Sequence, residues 1–384
     1  MLKSIQASPY PWHYTLVWFL YYFRPSIRNH TGMSTLPRRY RRPRVPDQPL
    51  VKLCAIGDIM VMQRDRVPRL DPLLRTLFAD ADIIVGCCEA TVARTNAKAD
   101  AEYTVVGKKS FIYNMPEEFL RGVIAESSAA PEKWYLALAN NHAGDDGPDS
   151  AYATVRHMRN IGVHPIGYRG ADAEPITQAT AKGLQIGIAS WTHWLNQDVL
   201  RPQAQVWKTA DIASLSLAGR KRDLGLDCLV GAAHWEYEWQ HFPRRATRQS
   251  AADLARDGFD VILGSHPHVL QPFEWHGDTL CAYSLGNFCS GFGKSYAARM
   301  APVLVVELGT RGPHRGKVVG YELHLFAQVD AGDDVAIVPM DRAPLPLRAK
   351  LTRRAERVMA PEAASTTAGA GPGPGSMTAT ASTG

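Results

Sequence analysis

Cysteine is scarce and unpatterned in this chain: the six residues Cys54, Cys87, Cys88, Cys228, Cys281 and Cys289 form no CxxC pair and no regular spacing. That excludes a disulfide scaffold and a cysteine-ligated zinc module. Their places inside apolar runs fit buried thiols in a reducing compartment. Long hydrophobic runs are missing too. The only apolar N-terminal stretch, YTLVWFLYYF from Tyr14 to Phe23, is shorter than the roughly 20 residues a spanning helix needs. With Arg24 behind it and no small-residue cleavage site, it does not read as a secretory signal. A cytoplasmic location is expected, with peripheral membrane contact through this aromatic segment as the alternative. No internal repeat, heptad pattern, GxxxxGK[ST] phosphate loop or base-reading motif is present, which argues against solenoids, coiled coils and P-loop enzymes. No specific nucleic-acid partner is expected.

What the chain does have is bulk for one full core: 384 residues, 45% of them hydrophobic. Residues 1–50 are rich in Pro, Arg and aromatics, and show no helical or strand period before Val51. Residues 352–384 are assigned to a low-complexity, disordered tail, most plainly from Ala360 onward, where Gly, Ala, Ser, Thr and Pro dominate. One catalytic domain, residues 51–351, is left between them. Of the formal charge of +6, Arg38, Arg39, Arg41, Arg42 and Arg44 supply five, so everything else carries about +1. The cluster suits anionic lipid heads or nucleic acid, but a solvated basic linker is the preferred reading.

From Val51 onward, apolar runs alternate with amphipathic segments, the pattern of βα units building a mostly parallel sheet with helices outside. Helices are predicted over Pro68 to Phe78, Pro116 to Ala125, Asp149 to Asn160 and Arg248 to Asp257. A hairpin turning at Lys182-Gly183, another in TLCAYSLGNF after Gly277-Asp278, and a final pair flanking Gly312-Pro313 are also predicted. These late antiparallel strands suggest a second sheet packed on the first.

Polar residues of metal-binding type recur at the carboxyl ends of the predicted strands. Asp58 closes VKLCAIGD, Glu89 closes ADIIVGCCE, Asn141 and His142 close WYLALANNH, His234 closes LDCLVGAAH, and His266 and His268 close DVILGSHPH. In an open α/β sheet, ligands bind in the crevice beyond those ends. Carboxylate, amide oxygen and imidazole together suit one or two divalent ions such as Mn, Fe or Zn. His157, His193 and His314 lie outside the pattern and read as ordinary structural histidines.

The ordered series GDIM, GCCE, ANNHAGDDG, HWEYEW with Pro243 and Gln249, GSHPHVLQPFE and YSLGNF resembles the CapA-type bacterial capsule and poly-γ-glutamate synthesis proteins. These are similar in turn to the calcineurin-like metallophosphoesterase superfamily. The resemblance covers Val51 to Phe292 and implies a two-sheet α/β sandwich of the metallophosphoesterase type. It implies Asp58 and His268 as ligands of a first ion, Glu89 as the bridging carboxylate, and Asn141, His234 and His266 as ligands of a second. His142 would be the general acid, oriented by Asp145 or Asp146. Glu236, Arg244 and Arg245 are candidates for substrate binding, and Asn287 for support behind the ligands. Two departures stand out. Met60 occupies the place of a usual histidine, leaving the first ion one ligand short, and Cys87 replaces an amide, as a softer ligand or as a small core residue.

The reading that follows is a metal-dependent, phosphoesterase-like hydrolase or transferase in the biosynthesis of a capsule or related anionic polymer. Divalent ions would acidify the attacking water while His142 protonates the leaving oxygen. The expected partners are an anionic polymer or phosphoester substrate and the capsule-synthesis machinery. The rival reading is a non-catalytic assembly subunit of a polymer synthase. A further rival is amide-bond chemistry on a γ-glutamyl polymer, for which the chain has no nucleotide loop.

Overall fold

The computed structural model describes residues 10–62, 66–93, 113–145, 149–171, 173–196, 205–332 and 334–361. In chain order the strands are β1 (Arg39–Arg41), β2 (Leu50–Ile59), β3 (Arg69–Leu70), β4 (Ile83–Cys88), β5 (Thr91–Ala93), β6 (Asn114–Pro116), β7 (Trp134–Ala137), β8 (His164–Ile166), β9 (Ile176–Ala181), β10 (Leu184–Thr192), β11 (Cys228–His234), β12 (Val261–Ser265), β13 (Phe273–His276), β14 (Thr279–Ala282), β15 (Asn287–Cys289), β16 (Met300–Gly309), β17 (Val318–Ala331) and β18 (Asp334–Pro339). The helices are α1 (Trp12–Phe23), α2 (Pro72–Asp80), α3 (Glu117–Glu126), α4 (Ser150–Ile161), α5 (Thr209–Ala213), α6 (Leu217–Asp223), α7 (Arg245–Arg256) and α8 (Leu345–Val358).

Two sheets face each other. One runs β3-β18-β17-β16-β2-β4-β7-β8, with β1 added on β17 and β15 on β2; the other runs β13-β14-β12-β11-β10-β9. Side-chain alternation sets the layers. Val51, Leu53 and Ala55 of β2 enter a core shared with Ile186, Val230 and Leu263 of the second sheet. Cys54 and Ile56, one step out of phase, pack instead against Leu74, Phe119 and Val155 of helices α2, α3 and α4. Trp191, Leu229 and Ile262 on the outer face of the second sheet meet Leu217, Ala251 and Leu254. The result is a helix–sheet–sheet–helix sandwich, the expected class.

Local sequence explains the helices that frame the site. Asp71 caps α2 by accepting a hydrogen bond from the Leu73 amide at 2.9 Å, with Pro72 at the first helical position. In α3, Glu117 and Glu118 sit in the first turn, where the helix dipole favours negative charge. The same helix buries Phe119, Leu120, Val123 and Ile124 on one face, each contributing about 1.5–3 kcal/mol. All four predicted helices form, with ends shifted by up to four residues.

Several expectations are corrected. The final antiparallel strands do not make the second sheet: β16 pairs with β2, extending the first, while the second has the parallel strands β10, β11, β12 and β14 at its centre. TLCAYSLGNF is not one hairpin. TLCA pairs with β13 in the second sheet, and Asn287–Cys289 crosses to β2 in the first. The Lys182-Gly183 turn forms as predicted, with φ of 46° and 81° at the two residues.

Among its described residues, the N-terminal segment is not irregular throughout. Residues 12–23 form a helix, and Arg39–Arg41 pair with β17. Three of the arginines pair with acids, Arg39 with Glu322, Arg41 with Glu307 and Arg42 with Asp278; Arg39 and Arg41 stay largely exposed to solvent, but on a strand of the sheet and not in a free linker. At the other end, α8 runs through residue 351 to Val358, with Leu351, Ala355 and Val358 buried. Ordered structure therefore continues past the expected boundary; residues 362–384 lie outside the described residues. Among the described residues, no helix is long and apolar enough to cross a membrane.

Candidate metal centre

Asp58 lies near the end of β2, Glu89 one residue past β4, His234 at the end of β11, and His266 just after β12. Backbone bonds fix these ends against each other. The Glu89 amide donates to Ile59 O at 3.0 Å, and the His266 amide donates to Asp58 Oδ2 at 3.1 Å. His266 and His268 have φ of 94° and 57°, a left-handed conformation that is unfavourable for residues with a Cβ. The GSHPH turn holds both imidazoles inward at that cost.

Three groups of donors result, and two of them share Glu89. Asp58, Glu89 and His268 form one, and Glu89, His234 and His266 the other, the donor atoms of each lying within 4.8 Å of one another. Glu89 Oε2 is 3.6 Å from His268 Nδ1, whereas Glu89 Oε1 is 3.6 Å from His234 Nε2 and 3.9 Å from His266 Nδ1. Asn141 Oδ1 joins the second group, 2.8 Å from His234 Nε2. All of these side chains are buried.

The fit to cations rests on what these atoms lack. Asp58 Oδ1, both carboxylate oxygens of Glu89 and His266 Nδ1 are buried without a hydrogen-bond partner. Such groups are costly unless something satisfies them. Burial, followed by the charge of Asp58, pushes the Glu89 carboxyl well above its usual range. Burial acts oppositely on two of the imidazoles, lowering His234 to about 3 and His266 well below its ordinary value, whereas His268 is raised against the effect of its burial, chiefly by its interaction with Asp58. Neutral imidazoles at His234 and His266 beside the unpartnered oxygens of Glu89 and Asp58 suit a divalent ion.

Neighbouring groups set the orientations. Ser265 Oγ lies 2.9 Å from His234 Nδ1, leaving Nε2 to face Glu89 and Asn141. Asn140 braces the ANNH turn by donating to Cys88 O at 2.7 Å and accepting from the His142 amide at 3.0 Å. His142 Nδ1 is 2.6 Å from Asp145 Oδ2, and its Nε2 points to the cluster, 3.9 Å from Glu89 Oε1. Asp145 thus takes the orienting place; Asp146 lies outside the described residues.

Cys87 Sγ is 3.5 Å from His234 Nδ1. Its thiol is pushed well up by burial and then by Asp58 and Glu89; its side chain belongs to the inter-sheet core, and its sulfur also forms the third donor group with Asp58 and His234, within 4.8 Å of one another. Glu236, at φ 76° and fully buried, is committed to its own loop. It accepts from the Arg244 amide at 2.8 Å and the Tyr237 amide at 3.0 Å, and pairs with Arg244 Nε. Arg244 stacks over the Tyr237 ring at 3.6 Å. Arg245 is exposed at the start of α7 and is not brought to the cluster. His157 pairs with Glu117 on the outer helices, and His193 sits against Thr209, both as structural residues.

Sequence reasoning missed Ser265 and Asn140, although each adjoins a recognised residue in GSHPH or ANNH. It could not find Tyr10. The Tyr10 hydroxyl lies 2.9 Å from His266 Nε2, and its ring packs on Trp194 and Tyr237. Helix α1 follows, docked on the loop after β11 through Tyr14 to Glu238 O and Trp18 to the Glu238 carboxylate.

Residues 52–291, well over half of the chain, match the family described as bacterial capsule synthesis protein PGA_cap. The chain belongs to that family. It is 28% identical over 201 residues to the PGA biosynthesis protein CapA of Bacillus subtilis (strain 168), covering 49% of this chain and 50% of that protein. It is 26% identical over 160 residues to the capsule biosynthesis protein CapA of Bacillus anthracis, covering 40% and 39%. The chain thus spans about half the length, or less, of these curated relatives. Among solved structures it is similar to a phosphatase from Mycoplasma pneumoniae, with TM-score 0.43 at 14% identity over 73% of this chain and 95% of that one. It is also similar to the NAD nucleotidase of Haemophilus influenzae, with TM-score 0.41 at 12% identity over 80% and 62%. At these scores the likeness is partial and says nothing of activity. The matched PGA_cap region begins in β2 and ends two residues past β15, so every residue of the three donor groups lies inside it.

Proposed function

We propose that this PGA_cap protein is a metal-dependent phosphoesterase acting in the biosynthesis of a capsule or poly-γ-glutamate-type surface polymer. One observation carries the reading: the two oxygens of Glu89 face separate donor groups, and both are buried without a partner. A first ion would be held by Asp58, Glu89 and His268, and a second by Glu89, Asn141, His234 and His266. Ions of the Mn, Fe or Zn type supply Lewis acidity and lower the pKa of water.

The chain's own residues provide the rest. His142, with Nδ1 fixed by Asp145, presents Nε2 toward the cluster and gives its proton to the leaving oxygen. The Arg244 guanidinium, held planar between Glu236 and the Tyr237 ring, suits a phosphate or a polymer carboxylate. A second reading, a non-catalytic subunit of the polymer-synthesis machinery, is favoured by Met60 and by Tyr10 lying directly on His266. Metal analysis of purified protein combined with phosphomonoester and phosphodiester substrates separates the two. Two ions per chain with turnover is the expected result. Two ions with no turnover on any substrate supports the subunit reading, and no ions at all ends the metal proposal.

We further propose that the protein makes peripheral contact with a membrane through its N-terminal helix. Trp12, Leu16, Phe19, Leu20 and Phe23 of α1 are exposed, and residues 1–46 contain no Asp or Glu. An apolar helix face in acid-free sequence suits an anionic bilayer. Vesicles containing phosphatidylglycerol should sediment the protein, and Leu16→Glu with Phe19→Glu should abolish this. Equal sedimentation of the double variant would remove the membrane assignment.

A further inference from the structure

The first donor group has three side chains, Asp58, Glu89 and His268, and Asn287 Oδ1 lies 3.0 Å from the imidazole of His268. We propose that Asn287 binds the first ion directly through Oδ1, rather than supporting the ligands from behind; this rests on the two-ion reading above.

The backbone brings Asn287 there. β15 pairs in parallel with β2, so that Asn287 lies opposite Asp58. The approach needs Gly57: a Cβ at that position would lie 1.9 Å from Gly286 O. The Asp58 amide donates to that same oxygen at 3.0 Å, locking the YSLGNF segment against the strand that carries the first carboxylate.

Chemistry then fixes which end of the amide faces the site. Asn287 Nδ2 lies 3.3 Å from Ala298 O and 3.1 Å from Ser290 Oγ. A carbonyl oxygen only accepts hydrogen bonds, so the NH₂ group must face Ala298 and Oδ1 must face away from it. Oδ1 lies 3.0 Å from His268 Nδ1, which is also 3.6 Å from Asp58 Oδ2 and 3.6 Å from Glu89 Oε2. Three oxygens therefore surround one imidazole nitrogen. A single proton on that nitrogen bonds well to one of them. Donor atoms that share an ion at about 2.0–2.2 Å lie roughly 3.0–3.5 Å from each other at octahedral and tetrahedral angles. The observed separations match a shared cation with only small movements. With Asn287, the first ion has four protein donors: Asp58, Glu89, His268 and Asn287.

Three variants test this against a purely supporting role. Asn287→Ala should keep the second ion and weaken the first about ten- to hundredfold, read as Mn²⁺ uptake by titration calorimetry. Asn287→Asp should bind two ions with first-site affinity equal or tighter, because the carboxylate keeps the donor oxygen and adds charge. If the amide mattered only as a donor to Ala298 O, Asp would fail like Ala. Asn287→Cys loaded with Co²⁺ should show a thiolate-to-cobalt charge-transfer absorption that the wild type lacks, which only direct ligation produces. Unchanged two-ion binding by the Ala variant, failure of the Asp variant, or a fully Co²⁺-loaded Cys variant without that band would each overturn the assignment. A wild type that takes up no Mn²⁺ would instead overturn the two-ion reading, and this inference with it.

Discussion

Replacing His142 with Ala is expected to leave both ions in place and to lower turnover by about 10² to 10⁴ on substrates with poorly acidic leaving groups. His142 does not belong to any of the three donor groups. Its Nδ1 is taken by Asp145 at 2.6 Å, and its Nε2 stands 3.9 Å from Glu89 Oε1, facing the cluster from outside. That position is the one the proposed general acid requires. An activated aryl phosphate, whose leaving group hardly needs a proton, should be hydrolysed nearly normally by the variant. Metal content measured beside the rate decides the role. Loss of metal together with activity would make His142 a ligand, and equal loss on both substrate classes at full metal occupancy would leave it an orienting residue.

Glu89→Gln should separate metal binding from stability more sharply than any other single change. Glu89 belongs to both of the proposed ion sites, so its replacement should weaken uptake of both ions on the order of 10³-fold or more. In the metal-free protein at pH above about 4.5 the same change should stabilise the fold by about 1–3 kcal/mol, because a buried acid with two unpartnered oxygens, which the fold must keep protonated, becomes an amide that is neutral at every pH. The pH dependence follows from the raised Glu89 carboxyl, which is pushed up first by burial and then by Asp58. The folded state holds the proton at a pH where the unfolded chain, with a value near about 4.5, has already released it. Wild-type stability attributable to Glu89 is therefore complete below about pH 4.5 and is lost as pH rises toward the folded value. The gap between variant and wild type should open over that interval and then stay constant. Chemical denaturation in chelator at pH 4.5 and pH 7.5 measures it. A variant less stable than the metal-free wild type at both pH values would mean that Glu89 has a structural partner in the folded protein.

The residues of the centre could be read from the sequence because each lies at the end of its own apolar run. Strand period, chain direction and residue chemistry are local properties, and together they put Asp58, Glu89, Asn141, His234, His266 and His268 at the carboxyl ends of strands, which the structure divides between two sheets. The GSHPH turn, Asp145 beside His142 and the Lys182-Gly183 hairpin were legible for the same reason, since each is settled within a few residues. Helix α1 was not, because its burial pattern is set by docking on the loop after β11 and not by a 3.6-residue period. The pairing of β16 with β2, the division of TLCAYSLGNF between two sheets and the holding of Arg39, Arg41 and Arg42 by distant acids depend on which edges meet. The tertiary structure alone divided the two oxygens of Glu89 between donor groups, set Tyr10 on His266 and turned Asn287 Oδ1 toward His268. Each of these needs atoms far apart in the chain to approach within about 3–4 Å, and local periodicity carries no information about such distances.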